Sequence, residues 1–321
     1  MAARITADRD RLRLLTKVAR LYHENGVRQP EIADQLHLSQ ARVSRLLKEA
    51  AERGIIRTVV VPPPGVHSEI EELVAEKYAL LDVVVVDVEG SAADTVSALG
   101  SGAAAYLDTT LIGSDVIGVS SWSATLLAAV EVMRPKRTPV ADSVVQVVGG
   151  VGSPEVQMQA TRLTGRLAEV TGASPVFIPS PGLVGSPALR EALMADPGVQ
   201  AVLAMWSQLT LSLVGIGTLE PSPLLRRSGN SLGDQEQEEL RRAGAVGDVC
   251  LRYFDAQGDA VESSFDQRII GIARDDILRV PRRVGVAGGT EKTDAIRAAV
   301  LGGWVNILIT DLDVATALLA D

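Results

Sequence analysis

The sequence of 321 residues contains one cysteine, Cys250, and no long apolar run. A single thiol excludes an internal disulfide bond and a cysteine metal cluster, and sparse cysteine is typical of a reducing compartment. No apolar run approaches the roughly 18–20 residues of a membrane-spanning helix. The N-terminal residues MAARITADRDRLRLL alternate charges and lack the apolar core of a signal peptide. We therefore expect a cytoplasmic protein with no membrane span and no bound metal, and we expect Cys250 to pack in a strand.

Positive charge is scarce except at the N-terminus. Residues 1–57 hold 12 Lys and Arg against 7 Asp and Glu, whereas residues 58–321 hold 19 against 33. The sequence pI of about 5.0 thus conceals a basic segment joined to an acidic one. A basic segment of this kind indicates nucleic-acid binding, because phosphate contacts supply much of the affinity for DNA. A solvated helical surface is the alternative interpretation.

Apolar spacing in the basic segment predicts three helices. The first covers residues 8–26 and ends at Asn25-Gly26, and the second is the short stretch RQPEIADQL with Pro30 near its first turn. After the turn HLS, Ser39 caps a third helix that stops at Gly54. Two short helices joined by a three-residue turn, with the small Ala33 at their crossing, indicate a helix-turn-helix. His37 occupies a turn position where glycine is common, so we expect a positive φ there.

The third helix is expected to enter the major groove of double-stranded DNA. Gln40, Arg42 and Ser44 are predicted to contact base edges, and Arg45 and Lys48 to contact phosphates. The full set of predicted DNA contacts is Arg28, Gln29, Ser39, Gln40, Arg42, Ser44, Arg45 and Lys48. A three-helix unit that binds another protein is the alternative.

The predicted domain organisation follows from the segments after Gly54. IIRTVVV indicates a strand, which would make the helical domain a winged type, and PPPG is a stiff spacer. We predict a DNA-binding domain over residues 1–60, a proline-rich linker over 61–65 and an effector-binding, oligomerising domain over 66–321. The helix after the linker, HSEIEELVAEKYAL, either belongs to the last domain or connects two subunits.

Beyond the linker, apolar runs alternate with helical patterns. The runs are rich in Val and Ile, which predicts strands buried on both faces and therefore a doubly wound, mainly parallel α/β sheet. The predicted strands are 82–88, 115–120, 143–150, 211–217, 248–255, 282–289 and 305–310, and the clearest helices are 92–107, 122–133 and 154–171.

The carboxyl ends of parallel strands bind ligands, and here they are rich in glycine and hydroxyl groups. The stretch VGVAGGTEKTDAIRAA, residues 284–299, combines a strand, two glycines, a lysine and a helix, which suits a small anion. Ser120, Ser121, Ser123 and Thr125 open another helix, where each serine is also a candidate helix cap. No G-x-G-x-x-G or G-x-x-x-x-G-K-[ST] fingerprint occurs, so neither a dinucleotide nor a nucleoside triphosphate cofactor is indicated.

Several segments resemble the SorC/DeoR-type sugar-binding transcriptional regulators. Besides the N-terminal QPEIADQLHLSQARVSRLLK, they are IGVSSWSATL (117–126), VVQVVGG (144–150), LVGIG (213–217), GAVGDVCLRYFDAQG (244–258) and GVAGGTEKTDAIRAAVLGGWVNILITD (285–311). The resemblance implies a fold similar to sugar-phosphate isomerases of the glucosamine-6-phosphate deaminase and ribose-5-phosphate isomerase kind. It also implies a sugar-phosphate or related effector, Asp248 and Lys292 in its pocket, and a tetramer.

The predicted effector site combines these segments. Arg252 is expected in a buried strand, where it points at an anionic ligand or pairs with Asp248 or Asp311. Trp122 and Trp304 are expected to pack rather than to stack on a sugar. The predicted effector-binding residues are Ser120, Ser121, Ser123, Thr125, Gly149, Gly150, Gly217, Asp248, Arg252, Lys292 and Asp311.

The remaining choice is between an enzyme and a sensor. An isomerase needs an acid and a base with pKa values near neutrality, yet the three histidines, His23, His37 and His67, all precede residue 68. We therefore predict a non-catalytic, homo-oligomeric transcriptional regulator of carbohydrate metabolism that binds operator DNA under the control of a sugar phosphate or polyol. A sugar-phosphate isomerase or deaminase, or a protein-interaction module on a sugar-binding domain, are the alternatives.

Overall fold

The computed structural model of the protein describes residues 2–56, 63 and 65–320, and excludes the side chains of residues 2–10 and 155. The chain divides into two compact units, an N-terminal unit of residues 1–62 and a C-terminal unit of residues 63–321. No helix in the described ranges is long and apolar enough to cross a membrane.

Residues 2–56 of the N-terminal unit form three helices, α1 (Ala2–His23), α2 (Gln29–Gln35) and α3 (Gln40–Glu52). Its apolar core is supplied by all three helices and consists of Leu15, Val18, Ala19, Ile32, Ala33, Val43, Leu46, Leu47 and Ala50. The Ser39 side chain accepts a hydrogen bond from the Arg42 backbone N–H at 3.3 Å, as expected of a cap. His37 has a φ of +52°, which confirms the predicted turn geometry. Most of the wing strand predicted over 55–61, namely residues 57–61, lies outside the described residues.

The C-terminal unit is built on a parallel seven-stranded sheet. Its order is β1-β10-β9-β5-β2-β3-β4, and the strands β6, β7 and β8 form a separate antiparallel sheet. The strands are β1 (Asp82–Val86), β2 (Asp115–Val119), β3 (Ala141–Gln146), β4 (Ser174–Val176), β5 (Leu211–Gly215), β6 (Gly217–Thr218), β7 (Ala245–Val249), β8 (Arg252–Asp255), β9 (Arg282–Val286) and β10 (Ile307–Asp311).

Helices cover both faces of the large sheet. They are α4 (Ser68–Tyr78), α5 (Ala92–Thr110), α6 (Ala124–Val132), α7 (Pro154–Thr171), α8 (Pro187–Met194), α9 (Pro197–Met205), α10 (Pro223–Ser228), α11 (Asp234–Arg242), α12 (Arg274–Arg279), α13 (Thr293–Leu301) and α14 (Leu312–Ala320). Neighbouring residues of strand β1 face different apolar clusters. Val85 belongs to the cluster that contains Ile296 and Val314, whereas Val84 packs against the cluster that contains Leu107 and Leu163. Burial on both faces explains the continuous Val and Ile runs and confirms the doubly wound α/β fold.

One predicted strand is wrong. The stretch DVCLRYFD, 248–255, is a hairpin, in which β7 and β8 pair in antiparallel fashion. The two residues between them, Cys250 and Leu251, have φ values of +56° and +63°, the positive φ at both positions that a type I′ turn requires. Cys250 is thus buried in a turn and not in a strand. Neither turn residue is Gly, Asn or Asp, so the usual sequence signal for this turn is missing.

A buried ion pair joins the amino ends of three central strands. Asp115 at the start of β2 is 3% exposed and pairs with Arg282 at the start of β9. Asp115 also accepts hydrogen bonds from the Thr210 hydroxyl, just before β5, at 2.6 Å and from the Ile112 N–H at 3.2 Å. Burial disfavours the charged carboxylate, but the hydrogen bonds from Thr210 and Arg282 outweigh it and hold the pKa of Asp115 below its ordinary value.

We expect Asp115→Ala to lower the free energy of unfolding by about 3–5 kcal/mol, because Arg282 would lose its partner in a partly buried position. Since the folded-state pKa of Asp115 is lowered, its contribution is present at neutral pH and is lost as pH falls through that pKa. Denaturant unfolding followed by tryptophan fluorescence tests this, because all three tryptophans lie in the C-terminal unit. The exposed Asp142→Ala is the control, expected to change stability by no more than about 0.5 kcal/mol. Equal effects of the two substitutions would contradict the role given to Asp115.

Candidate functional site

The outer face of α3 is a row of polar side chains open to solvent. Gln40, Arg42, Ser44, Arg45 and Lys48 are all exposed, whereas the apolar positions of the same helix are buried against α1 and α2. Arg45 donates from Nε to the Ala41 carbonyl at 3.2 Å, and Lys48 lies 4.0 Å from Glu52 in an exposed pair. The guanidinium and ammonium groups therefore remain accessible to phosphates. The five side chains predicted to contact DNA are thus all open to solvent on one helix.

Three further predicted DNA contacts lie at helix starts, Arg28 and Gln29 at the start of α2 and Ser39 before α3. Arg28 is exposed at the N-cap of α2, and its N–H is held by the Glu31 carboxylate at 3.4 Å. Gln29 is half-buried, and Ser39 is exposed while capping α3. The side chains of Arg28 and Ser39 are thus open to solvent, whereas that of Gln29 is partly covered.

In the C-terminal unit, the polar loops meet where the sheet reverses its order. The chain passes from β2 to β3 and β4 on one side, whereas β5, β9 and β10 lie on the other side. Such a switch point opens a crevice at the carboxyl ends of the strands. A Cβ on Gly215, at the end of β5, would lie 3.3 Å from the Ser123 hydroxyl, so the loops after β2 and β5 are in contact.

Asp248 lies over this crevice on the hairpin. Its Oδ2 accepts the Leu251 N–H at 2.9 Å, which holds the Cys250-Leu251 turn in its left-handed conformation. A Cβ on Gly217 would come 2.1 Å from Asp248 Oδ1, so only glycine fits opposite this carboxylate. Burial raises the pKa of Asp248 to about 6, although the Leu251 N–H and the charge of Lys292 act in the opposite direction. Asp248 is therefore an unusually basic carboxylate, with Oδ2 bound to the Leu251 N–H and Oδ1 facing Gly217.

Lys292 approaches the same carboxylate from another strand end. It ends the short 3₁₀ turn Thr290–Lys292 after β9, and its N–H donates to the Gly289 carbonyl at 2.9 Å. Gly289 has a φ of +95°, a conformation that other residues rarely adopt. Lys292 is half-buried and electrostatically coupled to Asp248, but it makes no salt bridge within the described ranges. Its ammonium remains available to an anion.

Asp311 contacts the backbone of this loop. Its side chain is buried; Oδ2 accepts the Gly289 N–H at 2.6 Å and Oδ1 accepts the Val314 N–H at 3.0 Å. Both oxygens thus have backbone partners, one of which fixes the glycine turn before Lys292. These hydrogen bonds show what holds Asp311 in place, and its predicted contact with an effector stays a prediction.

The hydroxyl-bearing residues after β2 differ in burial and in what their side chains contact. Ser123 caps α6 by accepting the Leu126 N–H at 3.2 Å, and Ser120 and Thr125 beside it are half-buried. Ser121 is buried and donates to the Val148 carbonyl at 2.7 Å, while Trp122 Nε1 donates to the Gly149 carbonyl at 3.2 Å. Ser121 and Trp122 therefore tie the loop after β2 to the segment after β3.

Gly149 and Gly150 are packed against protein. A Cβ on Gly149 would lie 2.2 Å from the Pro181 carbonyl oxygen, and one on Gly150 would lie 2.4 Å from the Gln146 amide.

The predicted pairing of Arg252 with Asp248 or Asp311 is wrong: Arg252 pairs with Asp266 at 3.2 Å. It lies opposite Val249 in the hairpin, whereas Asp248 lies opposite Tyr253, so Arg252 and Asp248 point to opposite faces.

The fold also places two exposed arginines that the sequence analysis did not select. Arg226 and Arg227 lie on α10, whose Leu224 packs with Trp122 in one apolar cluster. The Ser153 hydroxyl donates to the Arg227 carbonyl at 2.7 Å, which joins α10 to the loop after β3. The contact with Trp122 brings α10 close to the loop after β2, and no local sequence pattern signals this proximity. Within residues 2–56, 63 and 65–320, no three His, Cys, Asp or Glu side chains are grouped so that they could hold a metal ion.

Comparisons with known proteins agree with this arrangement. The family model "Putative sugar-binding domain" matches residues 63–320. The deoxyribonucleoside regulator of Bacillus subtilis (strain 168) is 32% identical over 319 residues, which cover 98% of this chain and 99% of that protein. Transcriptional regulator LsrR of Escherichia coli (strain K12) is 32% identical over 312 residues, covering 95% and 94% of the two chains. The crystal structure of the full-length sorbitol operon regulator SorC from Klebsiella pneumoniae matches with a TM-score of 0.73 and 27% identity, covering 96% of this chain and 98% of that one.

These relatives are regulators of transcription, which confirms the prediction of a regulator over that of an isomerase. The family match covers the C-terminal unit, and the alignments with whole regulators extend through the N-terminal unit as well. The chain belongs to the SorC/DeoR-type family of sugar-binding transcriptional regulators.

Proposed function

We propose that the N-terminal unit binds operator DNA and that the C-terminal unit binds a sugar phosphate or polyol that controls operator affinity. The observation that supports the first half most strongly is the exposed row of Gln40, Arg42, Ser44, Arg45 and Lys48 on a helix whose other face is buried. The protein acts in the cytoplasm as a homodimer or homotetramer, because two half-sites about one helical turn apart, roughly 34 Å, require two N-terminal units.

The effector half of the proposal rests on the crevice at the switch point. Asp248 offers a carboxylate oxygen to sugar hydroxyls, and Lys292 offers an ammonium to a phosphate or another electron-rich group. Ser120, Ser123 and Thr125, with the backbone N–H groups around them, contribute further polar contacts from the opposite side. A ligand that contacts both sides would fix the loops after β2, β5 and β9 relative to one another. Such a change in the C-terminal unit alters the spacing of the DNA-binding units in the oligomer, and hence operator affinity.

Arg42→Ala is expected to weaken specific operator binding by about 1–3 kcal/mol, because it removes a side chain suited to bidentate base contact. Lys48→Ala is expected to weaken binding to all sequences and to reduce the slope of log K against log salt by about one. Fluorescence anisotropy with operator and random DNA at several salt concentrations distinguishes the two. Arg162→Ala, which removes an exposed arginine of the C-terminal unit, is the charge-matched control. An Arg42→Ala protein with unchanged specificity would contradict the assignment.

Lys292→Ala is expected to abolish effector binding and to leave operator affinity unchanged. The measurement is isothermal titration calorimetry with a panel of sugar phosphates and polyols, followed by DNA binding of the same protein. Lys136→Ala, which removes a lysine paired with Asp108 outside the crevice, is the control. If the Lys292 variant bound the panel normally, or lost both activities together, the proposed division of labour would fail.

Effector affinity is expected to fall between pH 7 and pH 5, because Asp248, with a pKa of about 6, becomes protonated in that range and loses its charge-assisted contact with hydroxyl groups. A phosphate ester also titrates near pH 6, so the measurement is the difference between the wild type and Asp248→Asn. The variant should bind more weakly at pH 7 and show a shallower pH dependence. Parallel pH profiles in the two proteins would rule out Asp248 as the titrating group.

A further inference from the structure

A second cavity lies in the C-terminal unit beside β8, where both Arg252 and Tyr253 line it, whereas Asp248 and Lys292 do not. It has a volume of about 480 Å³, which falls in the range of sites for small metabolites. Three arginines from separate segments line it, Arg190 from α8, Arg252 from β8 and Arg274 from α12, and we call it the arginine cavity. The lining also includes Trp304 and two carboxylates, those of Glu262 and Asp266.

One arginine and one carboxylate of this cavity form an ion pair with each other and make further hydrogen bonds to neighbouring groups. Arg252 donates to the carbonyls of Ile272 and Gly271 at 3.2 Å and 3.1 Å and to Asp266 Oδ1 at 3.2 Å. The second oxygen of Asp266 accepts both the N–H and the hydroxyl of Ser263, at 2.9 Å and 2.8 Å. This network lies in the wall of the cavity and occupies three of the roughly four acceptor positions of Asp266.

The other two arginines keep unused donors. Arg190 donates from Nε to the Ile269 carbonyl at 2.7 Å, while its terminal nitrogens have no hydrogen-bond partner in the described part of the chain. Its charge is close enough to Arg252 to disfavour the charged form of that residue, after the larger effect of burial on the same pKa. Arg274 lies over the Trp304 ring at 5.5 Å, and its buried Nε has no hydrogen-bond partner within residues 65–320. A stacked guanidinium keeps its hydrogen-bonding edge free.

We propose that the arginine cavity binds the phosphate group of a small phosphorylated metabolite. Three guanidinium groups face two carboxylates, and one of these, Asp266, is already paired. Glu262 is exposed and makes no ion pair within the described ranges, so the lining carries one more positive charge than negative charges. A phosphate accepts several hydrogen bonds and suits bidentate donation from guanidinium groups. This site is separate from the crevice of Asp248 and Lys292 and does not depend on the regulator proposal.

The test is calorimetric titration of the full-length protein with inorganic phosphate and, in parallel, with a panel of phosphate monoesters. Arg190→Gln combined with Arg274→Gln should weaken phosphate binding at least tenfold, whereas Lys292→Ala should leave this binding event unchanged. Arg279→Gln removes an exposed arginine from α12 outside the cavity and is the matched control, expected to bind as the wild type does. Tighter binding of a monoester than of inorganic phosphate identifies a metabolite as the ligand, while equal affinities identify phosphate itself.

Glu262→Gln provides a second test that does not depend on the stability of the arginine variants. It removes an exposed carboxylate that repels an incoming anion, so phosphate should bind about two- to fivefold more tightly. Unchanged or weaker binding in Glu262→Gln would overturn the proposal. So would the absence of phosphate binding by the wild type, or unchanged phosphate binding in a folded protein that lacks Arg190 and Arg274.

Discussion

The common direction of the seven strands is the constraint on which the rest of the structure depends. Because β9, β5 and β2 are parallel neighbours, the loops that follow them all emerge at one edge of the sheet. The reversal of strand order beside β5 prevents helices from closing over that edge. Residues as distant in the sequence as Ser123, Gly217 and Lys292 therefore reach one crevice. The buried pair of Asp115 and Arg282 fixes the opposite ends of two of these strands.

The chemistry of the crevice follows from what is buried beside it. Asp248 is held in the fold by the Leu251 N–H, and Gly217 allows the carboxylate to approach the backbone closely. Burial without a direct salt bridge raises the pKa of Asp248 and leaves Lys292 available. Asp311 supports the loop that carries Lys292, because its carboxylate accepts the Gly289 N–H. Backbone hydrogen bonds thus hold both Asp248 and the glycine turn before Lys292 in place.

Sequence patterns predicted the elements whose signals are local. The cap at Ser39, the turn at His37 and helix α7 are confirmed, because caps, turn residues and apolar periodicity act within a few positions. The hairpin at Cys250 and Leu251 was missed because its turn lacks glycine and asparagine and is held by Asp248 instead. The partner of Arg252 was also missed, since Asp266 becomes its neighbour only through tertiary packing. Side chains could be assigned to the carboxyl edge of the sheet from the sequence, but which of them point into the crevice could not.

The central claim is that a ligand in the C-terminal unit changes DNA binding by the N-terminal unit. The most direct measurement is fluorescence anisotropy of a labelled DNA fragment from upstream of the protein's own gene, titrated with protein at two salt concentrations. Each titration is done with and without a pool of sugar phosphates and polyols. The account predicts tight, salt-dependent binding whose affinity the pool shifts, and division of the pool would then identify the effector. Operator affinity that stays the same with every member of the pool, or binding no tighter than to random DNA, would contradict the account.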